Sequence, residues 1–245
     1  MVKSDLYVPR TYRNWVNCKD LVSFNVIFKE TDLSIRASSN LENKASRLVL
    51  KYRKSLEKYI ERSPIFRSSL EPISAGGETP LIARAMIDAS AKVGVGPMAA
   101  VAGAIAEFVG KELLAFSPEV IIENGGDIFL KSLKRRTVGI FAGSSPLTGK
   151  IGLEIEADET PIGICTSSGT VGHSLSFGKA DAAITLAKSA TFADAAATAI
   201  GNIVKEPGDI DKAIEYAKSI RDLKGLVVII GDKIGMWGNV KICSL

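Results

Sequence analysis

The sequence predicts an α+β protein built on a largely antiparallel sheet, and three observations carry that prediction. After Ser117-Pro118, five strand-like runs follow one another without a helical period between them. Such a series implies a meander, not a doubly wound parallel sheet. One of the runs, Ile151-Gly152-Leu153-Glu154-Ile155-Glu156-Ala157, alternates strictly, as a strand with one buried and one wet face does. Ahead of them, residues 41–61 place apolar side chains at 41, 45, 48, 49, 50, 56 and 60, which is a helical period.

In chain order, Phe24-Asn25-Val26-Ile27-Phe28 and Leu33-Ser34-Ile35-Arg36-Ala37 read as the strands of a β-hairpin joined by Lys29-Glu30-Thr31-Asp32. The helix over 41–61 has Asn40 as its expected cap and stops at Ser63-Pro64. A second helix begins at Thr79-Pro80, with proline in its favoured first position, and runs to about residue 93. Gly94-Val95-Gly96-Pro97 breaks it, and Pro97 opens an Ala/Gly-rich helix ending near Phe116. The small residues of that helix suit either close backbone packing or room for a ligand over the helix N-terminus. The strand series covers 120–122, 127–130, 138–142, 151–157 and 162–165, with a further strand expected at 180–187. Helices follow over 192–204 and 210–219, separated by Pro207-Gly208, and strands over 226–230 and 240–243 close the chain. No linker is rich enough in Gly, Pro or Ser to separate domains. The expectation is one domain over 1–245, with residues 1–20 as an N-terminal arm.

Composition excludes several classes. Hydrophobic residues at 46% and charged residues at 24% supply a sizeable core. The net charge of +4 is mild, and Lys131-Ser132-Leu133-Lys134-Arg135-Arg136 reads as a solvated hairpin, so nucleic acid is not an expected partner. No apolar run approaches the roughly 20 residues that span a bilayer, and residues 1–13 lack the apolar core of a signal peptide. Three scattered cysteines, Cys18, Cys165 and Cys243, fit no zinc or haem spacing. They point to a reducing cytoplasm.

The stretch 163–202 concentrates the chemistry. Cys165 and the only histidine, His173, flank Thr166-Ser167-Ser168-Gly169-Thr170, whose N–H and hydroxyl groups suit an anion cradle or a polar turn. Cys165 reads equally as an activated thiolate with His173 as its proton partner or as a buried, inert cysteine. Asp194 and Thr198 lie four residues apart on one helix face. They offer hard oxygen ligands for Mg²⁺, or an acidic residue placed to suit the helix dipole. Upstream, Glu123-Asn124-Gly125-Gly126-Asp127 separates two strands. Paired glycines permit positive φ and close approach of a ligand, with Asn124 and Asp127 placed to orient a ribose or adenine or to close a turn.

Taken together and in order, four segments are familiar: 95–106 (VGPMAAVAGAIA), 123–127 (ENGGD), 165–174 (CTSSGTVGHS) and 193–202 (ADAAATAIGN). They resemble a smaller family related to ApbE, the flavin transferases, over nearly the whole chain from Tyr12. The resemblance implies the ApbE-like tunnelling fold (T-fold), an antiparallel sheet with helices on one side, and homo-oligomeric assembly. Carried over from ApbE, which binds FAD and Mg²⁺ and transfers FMN to a target protein, it implies that Gly125, Gly126 and Asp127 border the nucleotide and that Asp194 and Thr198 hold the metal. The helix over 99–106 contains neither the lysine nor the tyrosine that ApbE enzymes carry ahead of their Gly-Gly-Asp. His173 is followed by Ser174-Leu175-Ser176-Phe177 in place of an Asp-Pro motif. The smaller family is associated with sulfur assimilation and homocysteine formation. On that resemblance the leading expectation is sulfur transfer, with Cys165 as persulfide carrier, His173 handling protons and the glycine-rich segments seating a small anionic substrate or nucleotide, in company with partner proteins. A nucleotide-dependent flavin transferase and a non-catalytic scaffold subunit are the alternatives.

Overall fold

The computed structural model describes Arg13, residues 18–171 and residues 176–245. Strands β1 (Val22–Phe28) and β2 (Thr31–Ala37) form the expected antiparallel hairpin. Helix α1 (Glu42–Arg62) follows. Asn40 does bind its first turn, accepting from the Glu42 N–H at 2.9 Å, but Leu41 occupies the cap position. After the short α2 (Ile65–Ser68) comes α3 (Leu81–Ala91), with Pro80 just before the helix instead of inside it. Pro97 starts a 3₁₀ turn (Pro97–Ala100), and the Ala/Gly-rich helix proper is α4 (Val101–Leu113).

Strands β3 (Val120–Asn124), β4 (Asp127–Lys131), β5 (Arg136–Gly139), β6 (Ile151–Ile155), β7 (Ile162–Ser167) and β8 (Ala182–Ala187) come next. Helices α5 (Ala190–Ile203) and α6 (Ile210–Ser219) precede β9 (Leu223–Ile230), β10 (Lys233–Gly238) and β11 (Ile242–Ser244). Eight strands form one sheet in the order β1-β2-β3-β4-β7-β8-β9-β10, every pair antiparallel, and β11-β6-β5 form a second. The order divides the large sheet into two halves of like plan: two strands, a helical excursion, two strands. They meet where β4 pairs with β7.

The helices cover one face of the large sheet, where α4 and α5 contribute Ala104, Val109, Ala193, Ala196 and Ile200 to the core. The three-stranded sheet covers the other face through Val138, Leu153 and Ile155, packed with Ile121, Leu130 and Ile164. Two further sequence expectations change, and one strand is added. Arg136 is buried, not solvated, because its guanidinium pairs with Glu119 at 2.9 Å and Asp20 at 2.6 Å. The strand expected over 138–142 starts two residues earlier and ends at Gly139. Strand β10 carried no strand signal, since Gly235 and Gly238 interrupt its pattern and its edge position leaves Ile234 and Met236 exposed.

One buried carboxylate ties α4 to α5. Glu107 Oε2 accepts from the Thr191 N–H at 2.8 Å, the Thr191 hydroxyl at 2.8 Å and the Ser189 hydroxyl at 2.7 Å. It thus satisfies donors that the start of α5 leaves without an intrahelical partner. Burial alone would raise its pKa. Lys111, the Thr191 N–H and Ser189 outweigh burial and hold it below the ordinary 4.5. Glu107→Ala is expected to cost about 3 kcal/mol in urea unfolding, because it strands those donors. The native state holds the proton less tightly than the unfolded chain. The stabilisation is therefore full above pH about 4.5 and is lost as pH falls through the lower native pKa. Glu107→Gln should flatten that acid limb of the stability profile.

Candidate functional site

The β3–β4 hairpin builds the first wall. Asn124 pairs with Asp127 across Gly125 and Gly126, whose φ values are +67° and +106°. Two successive positive-φ residues suit a tight two-residue hairpin, and glycine adopts them without a Cβ clash. The Gly126 N–H donates to Glu123 Oε1 at 2.9 Å, and Asn124 Nδ2 donates to the Ala102 carbonyl at 3.0 Å. The hairpin tip is thereby fastened to the first turn of α4.

Helix α5 supplies the second wall. Its N-cap is Ser189, whose hydroxyl accepts from the Phe192 N–H at 3.2 Å. Asp194 follows on the first full turn and Thr198 one turn later, both half-buried. Asp194 Oδ2 accepts from the Gly103 N–H of α4 at 2.8 Å. That contact needs glycine: a Cβ at residue 103 would lie 2.3 Å from the Ala190 carbonyl oxygen and 2.8 Å from Asp194 Cβ. Of the two readings of the Ala/Gly-rich helix, close backbone packing is therefore realised.

Asp127, on β4, faces this carboxylate. It is buried, and its Oδ1 accepts from the Thr166 N–H at 3.2 Å. Burial first, and then the charge of Asp194, push the Asp127 carboxyl well above the usual carboxylate range. Burial raises Asp194 to about 7, against the pull of the Gly103 and Ala102 N–H groups. Two carboxyl groups held close with limited access to water can both ionise only at a cost, and a divalent cation between them is the simplest way to relieve it.

Cys165 lies beneath this pair and departs from the thiolate expectation. Its side chain is fully buried on β7, and its S–H donates to the Ala190 carbonyl at 3.3 Å. Burial, followed by the charges of Asp127 and Asp194, pushes the thiol well above its ordinary pKa. A thiolate needs a nearby cation or the N–H groups of a helix N-terminus; although Ala190 opens α5, the sulfur meets its carbonyl, and the charged neighbours are carboxylates. Of the two readings given to this residue, the geometry matches the inert one.

Of the two readings given to the loop, anion cradle and polar turn, its bonds resemble the second. Thr166 donates its N–H to Asp127, Gly169 to the Ala180 carbonyl at 2.9 Å, and Thr170 and Val171 to Ser168 Oγ at 3.2 and 3.0 Å. Those N–H groups are thus engaged within the protein instead of cradling an anion. Side chains remain: Thr166 stands 3.8 Å from where a Gly126 Cβ would lie, and Ser167 Oγ lies 3.2 Å from the corresponding position at Gly201 of α5. Thr170 turns away to donate to Asp181 Oδ1 at 3.0 Å. His173 lies outside the described residues.

The structure thus gathers Asn124, Gly126, Asp127, Cys165, Thr166 and Asp194, with Thr198 one turn along α5. Among the described residues, no group of three or more His, Cys, Asp or Glu side chains forms a metal cage. Two carboxylates with a neutral hydroxyl are instead a donor set of the hard-oxygen kind that suits Mg²⁺, which keeps several waters. Sequence reasoning missed the Gly103 and Ala102 N–H groups as partners of Asp194, and it missed Glu123. Glu123 stands directly before the Asn-Gly-Gly-Asp turn, a position that could have drawn attention to it.

The fold is of the ApbE-like class. The fold is shared with solved structures of low sequence identity. The ApbE protein from Thermotoga maritima superposes with a TM-score of 0.59 at 14% identity, covering 88% of this chain and 96% of that one. The flavinyl transferase ApbE from Pseudomonas stutzeri gives 0.57 at 13%, covering 89% and 93%. Within that class the chain belongs to the family described as AbpE bacteria, whose sequence model matches residues 13–234. A UPF0280 protein of Methanocaldococcus jannaschii is 42% identical over 221 residues, 88% of this chain and 90% of that relative. One from Methanothermobacter thermautotrophicus is 43% identical over 221 residues, 88% and 85% respectively. Among the described residues, no helix is long and apolar enough to cross a membrane.

Proposed function

We propose that this protein is a divalent-cation-dependent transferase of the ApbE type that binds a flavin nucleotide over the β3–β4 hairpin and helix α5. The supporting observation is the convergence of Asp127 and Asp194 from separate elements, braced by backbone N–H groups and followed by Thr198. In this reading Asp194, Thr198 and Asp127 hold Mg²⁺. The side-chain-free turn at Gly125-Gly126 lets the nucleotide approach the backbone, and Asn124 keeps that turn against α4. A bound cation would neutralise the charge that builds on a transferring phosphoryl group. Sulfur transfer toward homocysteine through Cys165 is the weaker reading, because it asks for an accessible, ionisable thiol where the chain buries one among carboxylates.

Calorimetric titration with FAD checks the proposal. Binding in the presence of Mg²⁺ is expected, weakened tenfold or more when Mg²⁺ is replaced by chelator, on the order of losing one charge-assisted contact. Absence of FAD binding with saturating Mg²⁺ would remove the proposal.

A further inference from the structure

Arg13 makes three hydrogen bonds, one of which reaches Glu123 behind the candidate site, and the transferase reading leaves it unused. Arg13 Nε donates to Glu123 Oε2 at 2.6 Å, Nη1 to Asp32 Oδ1 at 3.0 Å, and Nη2 to the Asp32 carbonyl at 2.8 Å. Arg36 in turn donates to the Arg13 carbonyl. Glu123 is buried, and its other oxygen accepts the Gly126 N–H at 2.9 Å. A chain of contacts therefore runs from Arg13 through both oxygens of one carboxylate to the backbone of the turn that ends at Asp127. The planar guanidinium is anchored on Asp32 through both Nη groups and holds Glu123 from behind through Nε.

We infer that Arg13 is a positioning residue for the site: by orienting Glu123 it sets the Gly125-Gly126 turn, and with it the carboxylate of Asp127. The inference rests on the reading that Asp127 and Asp194 bind a divalent cation. Residues that orient ligands from behind shape affinity without touching the ion. Its consequence is that Arg13, which is not one of the site's own groups, governs how well the site is formed.

The test uses the full-length chain and Mn²⁺ as a paramagnetic probe, with amide hydrogen exchange as a readout that needs no ligand. In Arg13→Met, Gly126 is expected to exchange faster than in the wild type and Mn²⁺ to bind about tenfold more weakly, the usual scale for losing an outer partner. Arg13→Lys should recover part of both effects, since it restores the charge beside Glu123 without the fork to Asp32. It also keeps the test open should Arg13→Met fail to fold. Adding Arg13→Met to Glu123→Gln should change Mn²⁺ affinity little, because both act through one path. Unchanged Gly126 exchange and unchanged Mn²⁺ affinity in Arg13→Met would overturn the role of Arg13 alone. So would equal, additive losses in the double variant. A wild-type protein that does not bind Mn²⁺ would overturn the cation-site reading and Arg13's part in it together.

Discussion

Replacing Asp194 with asparagine is expected to make the cation-free protein more stable while removing its response to divalent cations. The carboxylate is pushed up to about 7 by burial and stands beside Asp127, itself raised. Above that pH Asp194 is ionised in the folded state, beside Asp127 and with little access to water, whereas the unfolded chain leaves the same charge solvated. Asparagine keeps an oxygen to accept the Gly103 N–H and drops the charge, so unfolding at pH 8 should cost about 1–3 kcal/mol more than in the wild type. For a chain of this size that is a rise in Tm of several degrees. Added Mg²⁺ should raise the wild-type Tm further and leave Asp194→Asn unmoved. A variant that is less stable than the wild type without metal, or that still gains from Mg²⁺, would show that the carboxylate pair is not where the cation acts.

The second large effect is expected at Gly103. A Cβ there would overlap the Ala190 carbonyl and crowd Asp194, and the obstacle on one side is backbone, which cannot rotate away. Gly103→Ala must separate α4 from α5 and lengthen the bond to Asp194, at a cost of about 3 kcal/mol. Gly77→Ala is the control, because nothing lies within 4 Å of the added Cβ. The two variants should differ in Tm by roughly 6–12 °C for a chain of this length. Cation affinity should fall with Gly103→Ala alone. Equal melting points would mean that the two helices do not meet as closely as the bond between Gly103 and Asp194 requires.

Much of the architecture was legible because it is local. The apolar period over 41–60 specifies α1, and the strict alternation at 151–157 covers β6. The absence of helical signal after Ser117 announces the antiparallel strands. The four-residue spacing of Asp194 and Thr198 and the paired glycines at 125–126 also follow from short-range geometry, because 3.6-residue helices and two-residue hairpins are set by neighbours in the chain. Strand β10 was not legible, since an edge strand with two glycines shows no alternation.

What the sequence by itself determined is the fold class, the order of most elements and two of the pieces from which the site is made. Whether those pieces meet was decided by tertiary structure. Burial first and the nearby Asp194 second raise the Asp127 carboxyl, and burial followed by the same carboxylates raises the Cys165 thiol. Arg136 reads as one of a solvated basic run until Glu119 and Asp20 enclose it. Arg13 has no local pattern at all, and its part arises from contacts with Asp32 and Glu123 on two different strands. Burial and charge proximity are properties of folded surroundings. A pattern of neighbours along the chain records which face a residue takes, but not which charge awaits it there.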